Sequence, residues 1–170
     1  MKKEAQTGHT GFGFLLVNLM KVSLIIFVCT SNTCRSPMAE QFGTEWLVDK
    51  KLEGQYKIIS RGLTDRYEPP NSVASANAVY TLSENYCLDL SQHRSALLSS
   101  DEVDEAYLII GVTQSHRDQI VVQFPNSSGK VQCLNSDVGD PWHASVAVYS
   151  ACAHVMKRLV HEILTQLIES

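Results

Sequence analysis

Strand patterns alternate with amphipathic helix patterns along most of this chain, and this alternation restricts the fold more than any other feature. Four segments are predicted strands: residues 22–28, 56–60, 106–112 and 130–134. Helices are predicted at residues 37–51, 72–86, in a short segment after 99, at 114–122, and over about twenty residues from 148. This order predicts an α/β fold, a parallel sheet with helices on both faces. In such folds ligands bind at the carboxyl ends of the strands.

Local signals predict where several of the helices begin, end and face the core. Ser99 and Glu102 form a capping-box pattern, Thr113 is a predicted N-cap, and Gly54 is expected to end the first helix. One apolar stripe along the last helix is expected to face the core: Val148, Cys152, Val155, Leu159, Ile163 and Leu167.

The first nineteen residues are predicted to lie outside the fold. Asn18 and Lys21 interrupt the apolar run near the N-terminus, so no clean apolar span of about 18 residues exists for a membrane helix. We therefore expect an extension at residues 1–19, a single domain at residues 20–170, and no association with membrane.

Charge and cysteine content restrict the partners and the compartment. A net charge of −4 on 170 residues, without a basic cluster, argues against nucleic acid as a partner. Five cysteines without a C-x-x-C pair predict reduced thiols in a cytoplasmic protein. The six histidines show no metal-binding spacing, so we expect no metal or other cofactor.

Two cysteines are followed six positions later by an arginine, and their contexts differ. Cys152 and Arg158 lie inside the predicted last helix, where Cys152 belongs to the apolar stripe. Cys29 instead leaves a buried strand and enters a loop of small polar residues that ends at Arg35. The spacing alone is therefore not diagnostic, and the context singles out the loop.

A tight loop between Cys29 and Arg35 would form an anion cradle. Its N–H groups and the N-terminus of the following helix would converge above the sulfur and favour the thiolate form. Arg35 would supply a planar fork for two phosphoryl oxygens, and the Ser36 hydroxyl would stabilise the thiolate or the leaving sulfur. A nucleophile inside such a cradle suits phosphoryl transfer through a cysteinyl-phosphate. The predicted phosphate-binding residues are Thr30, Ser31, Asn32, Thr33, Cys34 and Ser36.

Residues 28–40, VCTSNTCRSPMAE, resemble the signature V-C-x-G-N-x-C-R-S-P-x-A-E of the low-molecular-weight protein tyrosine phosphatases. Residues 60–62 (SRG) and 89–95 (DLSQHRS) resemble two further family segments, so the likeness covers about residues 20–170. It implies one three-layer, flavodoxin-like α/β domain with a four-stranded parallel sheet flanked by helices. It also implies a monomer without metal that dephosphorylates a phosphorylated protein or a small aryl phosphate and releases phosphate.

Asp140 begins the only Asp-Pro pair of the chain, after the fourth predicted strand, where the family has its general acid. Pro141 biases Asp140 toward an extended backbone that could aim the carboxylate over the cradle. As an acid it would protonate the leaving oxygen, and as a base it would then activate water.

Several positions depart from the family pattern. Ser31 replaces a glycine, which would cost about 1–2 kcal/mol if that position requires a positive φ. Asn32 tolerates the left-handed conformation and could form hydrogen bonds within the loop.

Tyr67 and Trp142 are the candidate walls of a substrate slot. Cys34 is either a buried packing residue or, as the resemblance implies, a redox partner that forms a reversible disulfide with Cys29.

The substrate stays open between two phosphorylated groups. We favour phosphotyrosine or another aryl phosphate, but Thr30 and Thr33 match the branch that resembles protein-arginine phosphatases. The remaining alternatives are a thioredoxin-coupled arsenate reductase and a pseudophosphatase that binds phosphorylated partners. The first needs two further cysteines on one segment, and Cys87 has no near partner. The second usually lacks a nucleophile, arginine or acid, and all three are present.

Overall fold

The computed structural model describes residues 21–169 and contains a four-stranded parallel sheet in the order β2-β1-β3-β4. The strands are β1 (Ser23–Cys29), β2 (Tyr56–Gly62), β3 (Ala106–Gly111) and β4 (Val131–Cys133). The α-helices are α1 (Arg35–Asp49), α2 (Ala76–Tyr86), α3 (Ser100–Glu105), α4 (Gln114–Gln123) and α5 (Val146–Ile168). A 3-10 helix, Pro125–Lys130, precedes β4. The predicted α/β fold is confirmed, and the predicted extension at residues 1–19 lies outside the described residues.

The central strand β1 explains why the sheet is covered on both faces. Its last five residues are buried, and alternate side chains enter two separate cores. Ile25 and Phe27 pack in the core that contains residues of α1, α2 and α5, whereas Ile26 and Val28 pack with residues of α3 and α4. A strand buried on both faces must be apolar at every position, as this one nearly is. Because β1 lies between β2 and β3, the loop after Cys29 is flanked by the loops that follow these two strands.

The local capping predictions hold for α3 and α4. Ser99 and Glu102 form the reciprocal capping box, and the Thr113 hydroxyl accepts from the backbone N–H of His116. The prediction that Gly54 ends the first helix is wrong. Helix α1 ends at Asp49, and Lys51 adopts a left-handed φ of 58°.

The predicted start of the second helix at residue 72 is also wrong, because tertiary hydrogen bonds hold the chain there in another conformation. Val73 forms an antiparallel bridge with Arg94, and the Ser75 N–H donates to the carbonyl of Thr33. The helix therefore begins at Ala76, with its N-terminus against the loop after β1.

The buried face of α5 overlaps the predicted stripe only in part, at Leu159 and Ile163. Val148 is 47% exposed, and Cys152 and Val155 are only partly buried. The buried residues are Tyr149, Ala153, Met156, Leu159, Val160, Ile163 and Leu164. Both rows are apolar, and packing of α5 against α1 and α2 selects the one that faces the core. Within residues 21–169, no helix combines the length and the hydrophobicity that a membrane span requires.

Candidate active site

A cavity of about 210 Å³ opens at the carboxyl end of β1. It is lined by Cys29, Thr30, Ser31, Thr33, Cys34, Arg35, Tyr67, Asp140 and Trp142. The structure thus brings together residues of three loops, which follow β1, β2 and β4. These are the predicted nucleophile, arginine and acid, both predicted walls and most of the predicted cradle.

The sulfur of Cys29 lies 3.0 Å from the hydroxyl oxygen of Ser36, in the first turn of α1. The same hydroxyl also donates to the carbonyl of Arg61 at 3.2 Å and accepts from the Asn32 amide at 2.9 Å. A hydroxyl has one proton to donate. When Cys29 is a thiol, the Ser36 hydroxyl can donate its hydrogen bond to the Arg61 carbonyl. When Cys29 is a thiolate, the hydroxyl can instead donate to the sulfur and stabilise its negative charge.

Asn32, not Ser31, provides the left-handed turn of the loop. Its φ is 58°, and Ser31 is not among the described residues with positive φ, so the substitution of glycine by serine carries no such strain. The Asn32 side chain is fully buried, and its amide also donates to Ser60 at 2.9 Å, while its oxygen accepts from the Ala96 N–H at 2.9 Å. These bonds connect the loop to the first turn of α1, to β2 and to the segment before α3.

Gly62 lets the end of β2 approach the loop after β1. A Cβ atom at this position would lie 3.1 Å from the carbonyl oxygen of Thr30 and 3.2 Å from the nitrogen of Asn32. Such backbone contacts cannot yield as a flexible side chain would. The glycine therefore fixes how closely the two loops pack.

Arg35 lies across the cavity with its side chain only 7% exposed. Its Nη2 atom is 2.6 Å from Asp140 Oδ2 and donates to Thr30 Oγ1 at 3.3 Å, and its Nη1 donates to the Val138 carbonyl at 3.4 Å. Its Nε is buried without a hydrogen-bond partner among the described residues. The guanidinium is thus held on one edge and retains donor capacity for an anion.

The carboxylate of Asp140 closes over the arginine from the loop between β4 and α5. Its Oδ2 forms the ion pair, and its Oδ1 accepts from the Trp142 N–H at 3.2 Å. This short-range bond fixes the orientation of the carboxylate. The side chain is 47% exposed, so an incoming ligand can reach it from solvent.

Tyr67 and Trp142 form an aromatic rim at the mouth of the cavity. Their ring centroids are 6.1 Å apart in an edge-to-face arrangement, and Trp142 Nε1 donates to Glu68 at 3.1 Å. The two residues are 55% and 41% exposed, so a ligand can reach them from solvent. A flat apolar group at the mouth of the cavity would contact this aromatic rim.

Cys34 shares the cavity with Cys29, on the side that faces α5. Its sulfur lies 3.2 Å from the Tyr149 hydroxyl, which is also 2.7 Å from the Ser75 hydroxyl. Burial raises the pKa of the Cys34 thiol. Both cysteines are free thiols in this structure.

Cys152 has no place in this cavity. It lies on α5, partly buried, with its sulfur 3.8 Å from the carbonyl of Gly139. Burial raises its pKa to about 12, so it is a protonated thiol at neutral pH.

The family model of the low molecular weight phosphotyrosine protein phosphatases matches residues 24–170. The chain belongs to this family. Within residues 21–169, no cluster of three or more His, Cys, Asp or Glu side chains could hold a metal ion.

Relatives within the family carry different substrate names. The chain is 32% identical over 150 residues to a protein-arginine-phosphatase of Geobacillus stearothermophilus, covering 84% of this chain and 95% of the relative. It is 27% identical to a probable low molecular weight protein-tyrosine-phosphatase, EpsP, of Ralstonia nicotianae, covering 81% and 90%. The crystal structure of a low molecular weight protein tyrosine phosphatase of T. tengcongensis superposes with a TM-score of 0.76 at 31% identity, covering 85% and 99%.

Two histidines to which the sequence analysis assigned no role form hydrogen bonds with the loop between Cys29 and Arg35. His93 Nε2 lies 2.7 Å from the Asn32 carbonyl, and His116 Nε2 lies 3.0 Å from Thr30 Oγ1. Each is more than 60 positions away from its partner in the chain. For His116 a signal existed, because it follows the predicted N-cap Thr113 at the carboxyl end of a predicted strand.

Proposed function

We propose that this phosphatase hydrolyses phosphate monoesters through a covalent intermediate on Cys29. The observation that carries the proposal is the convergence of Cys29, Arg35 and Asp140 on one cavity. A nucleophile, a bidentate cation and a carboxyl group are the three groups that hydrolysis through a phosphocysteine needs. We assign Thr30, Ser31, Asn32, Thr33, Cys34 and Ser36 to the phosphate-binding loop and its support.

In the first step the Cys29 thiolate attacks phosphorus, and the bond between phosphorus and the leaving oxygen breaks. The substrate dianion takes the place of the Asp140 carboxylate on Arg35, which has donors free for it. Asp140, displaced from Arg35, takes up a proton from solvent, donates it to the leaving oxygen and becomes a carboxylate again. The products of the step are the dephosphorylated hydroxyl and a phosphocysteine.

In the second step a water molecule attacks the phosphocysteine. Asp140, now a carboxylate, removes a proton from this water, and the sulfur–phosphorus bond breaks. Cys29 leaves as a thiolate that the Ser36 hydroxyl stabilises from 3.0 Å. Inorganic phosphate departs, and Asp140 releases the proton to solvent and pairs with Arg35 again.

Phosphotyrosine or another aryl phosphate is the proposed substrate class. Tyr67 and Trp142 offer a ring two aromatic walls at the mouth of the cavity. Phosphoarginine is the second candidate, supported by the buried Thr33 in the cavity wall and by the name of the Geobacillus relative. A hydroxyl at this position could orient a guanidinium leaving group.

Arsenate reduction has weaker support because, within residues 21–169, no two further cysteines on one segment lie near the cavity. Cys87 caps the C-terminal end of α2, and the N-terminal end of that helix is the one that contacts the loop after β1. The 11 residues of α2 place the two ends about 16 Å apart.

The proposals on compartment, oligomeric state, cofactor and partners rest on the sequence. We propose a cytoplasmic monomer that acts without a cofactor on phosphorylated protein, with no nucleic-acid or membrane partner. We also propose that Cys34 is the redox partner of Cys29, since the two thiols line one cavity.

The proposal is tested by comparing turnover of matched phosphotyrosine and phosphoarginine peptides. Wild-type hydrolysis of the phosphotyrosine peptide and of aryl phosphates supports the first candidate, whereas preference for phosphoarginine supports the second. Thr33→Ile should depress phosphoarginine hydrolysis alone if this hydroxyl selects the guanidinium. Both activities should change together if Thr33 only packs the loop. No turnover of either phosphopeptide or of any aryl phosphate would indicate a binding protein and contradict the assignment.

A further inference from the structure

The ring of His116 connects two hydroxyl groups, one of which belongs to the catalytic cavity. The residue lies in the first turn of α4 and is only 5% exposed. Its Nδ1 atom is 2.7 Å from Thr113 Oγ1, and its Nε2 atom is 3.0 Å from Thr30 Oγ1. Thr30 lines the cavity beside Cys29.

The bonds of Thr113 determine which nitrogen of the ring carries the proton. Its hydroxyl oxygen already accepts from the backbone N–H of His116 at 3.2 Å. Among the described residues, Nδ1 is the only group bonded to this hydroxyl that can accept its proton. Thr113 is only 8% exposed, so its hydroxyl proton needs an acceptor inside the protein; donation to Nδ1 supplies one and leaves the ring proton on Nε2.

The ring is neutral, as this arrangement requires. Burial, and to a smaller extent the nearby Arg35 guanidinium, lower the pKa of His116 to about 4 against smaller opposing effects of Asp140 and Asp137. At neutral pH the ring thus has one proton, which it donates to the Thr30 oxygen.

Thr30 then accepts two hydrogen bonds and has its own proton left to donate. One bond comes from His116 Nε2 and the other from Arg35 Nη2 at 3.3 Å. Two accepted bonds occupy both lone pairs of a hydroxyl oxygen. The remaining O–H is free to donate to a ligand in the cavity that Thr30 lines.

We propose that His116 is a positioning residue, which holds the Thr30 hydroxyl so that its proton is donated to an oxygen of the bound phosphoryl group. The inference rests on the proposed function, because it assumes that this cavity binds phosphate. Without the Nε2 donor, the Thr30 hydroxyl can rotate and turn its proton toward the ring position instead of the anion.

The test measures the affinity of inorganic phosphate by calorimetry in a Cys29→Ser background, which does not require turnover. His116→Met and Thr30→Val should each weaken binding about tenfold, as expected for one hydrogen bond to a charged group. His116→Gln, whose amide can donate from a similar position, should remain within about threefold of the parent. The double variant His116→Met with Thr30→Val should bind no more weakly than Thr30→Val alone.

His161→Met is the matched control. His161 is the other described histidine whose pKa burial lowers, and it lies on α5, away from the cavity. Its replacement should leave phosphate affinity unchanged. Melting temperatures of all variants establish that losses of affinity occur in folded protein.

Three results would overturn the inference: an unchanged affinity in folded His116→Met, additive losses in the double variant, or a loss in His116→Gln as large as in His116→Met. A measurement on the unaltered chain covers the case of a variant that does not fold. Nitrogen-15 NMR of the wild-type histidines should find the Nε2–H tautomer for His116, and the Nδ1–H tautomer would contradict the proposal. Failure of the proposed function would be distinguished by absence of turnover in wild-type protein that still binds phosphate.

Discussion

The chain contains two Cys-x5-Arg segments, and only one of them builds a site. At Cys29 and Arg35, the chain leaves β1, turns through the left-handed Asn32, and brings the arginine into the same cavity as the sulfur. At Cys152 and Arg158, the chain stays helical. Six residues of α-helix separate two side chains by about 9 Å along the axis and place them on different faces.

The surroundings of the two cysteines differ as much as the backbone does. Arg158 is 55% exposed and pairs with Glu162, one turn further along the helix, whereas Arg35 is almost buried and pairs with Asp140 across the cavity. Burial raises the pKa of the Cys152 thiol to about 12. The Cys29 sulfur has a hydrogen-bond partner in the Ser36 hydroxyl, at 3.0 Å. The comparison teaches that backbone curvature, and not residue spacing, creates the chemistry.

Replacement of each cysteine by serine should give the largest difference in kcat between the two segments. Cys29→Ser should lower kcat for p-nitrophenyl phosphate by about 10³-fold or more, because a serine hydroxyl in this cradle is a poor nucleophile. Cys152→Ser should keep kcat within about twofold. Steady-state kinetics measure both, and normal turnover by Cys29→Ser would remove the distinction between the two segments.

Exchange of arginine for lysine should repeat the contrast at the second position. Arg35→Lys should lower kcat/KM by about 10²–10³-fold, since an ammonium cannot hold two phosphoryl oxygens with a planar fork. Arg158→Lys should have no effect on kcat/KM. Equal kinetics of the two variants would contradict the assigned role of Arg35.

Asp140 pairs with Arg35, whereas Arg158 pairs with Glu162, so removal of Asp140 tests what the loop segment gains from a distant carboxyl group. Asp140→Asn should slow hydrolysis of alkyl and other poor leaving groups by about 10²-fold, and that of activated aryl phosphates much less, because only the former need a proton. A series of aryl phosphates with graded leaving-group pKa measures this dependence. An equal loss across the series would indicate a positioning role instead.

The left-handed turn itself gives the smallest expected effect on activity and a measurable effect on stability. Asn32→Ala removes buried hydrogen bonds and should lower the free energy of unfolding by about 2–4 kcal/mol. Lys51→Ala is the control, since Lys51 has the same φ of 58° but lies exposed after α1, and should cost less than about 0.5 kcal/mol. Urea denaturation measures the free energy of unfolding of both variants. Similar costs would show that backbone conformation, and not the side-chain bonds, matters at Asn32.

Local patterns predicted the fold well because each depends on residues close together in the chain. The four strands lie within two residues of their predicted limits, and the capping residues Ser99 and Thr113 hold as expected. The errors occurred where the local sequence was compatible with two alternative structures. On α5 two adjacent apolar rows competed, and before α2 the backbone bonds of Val73 and Ser75 outweighed helix propensity.

The sequence by itself determined the strand order along the chain and the composition of the loop between Cys29 and Arg35. It also supplied the candidate acid, because an Asp-Pro pair at a strand end is visible without any structure. These features depend on short spacings, which hydrogen bonding and hydrophobic periodicity encode locally.

Only the tertiary structure decided which distant groups meet at that loop. Asp140 reaches Arg35 across 105 positions, and His116 reaches Thr30 across 86. Neither contact has a local pattern, since both follow from the spatial order β2-β1-β3-β4, which places β1 in the interior of the sheet. A central strand has neighbours on both sides, so its loop collects side chains from the ends of the surrounding strands, and the cavity forms where they converge.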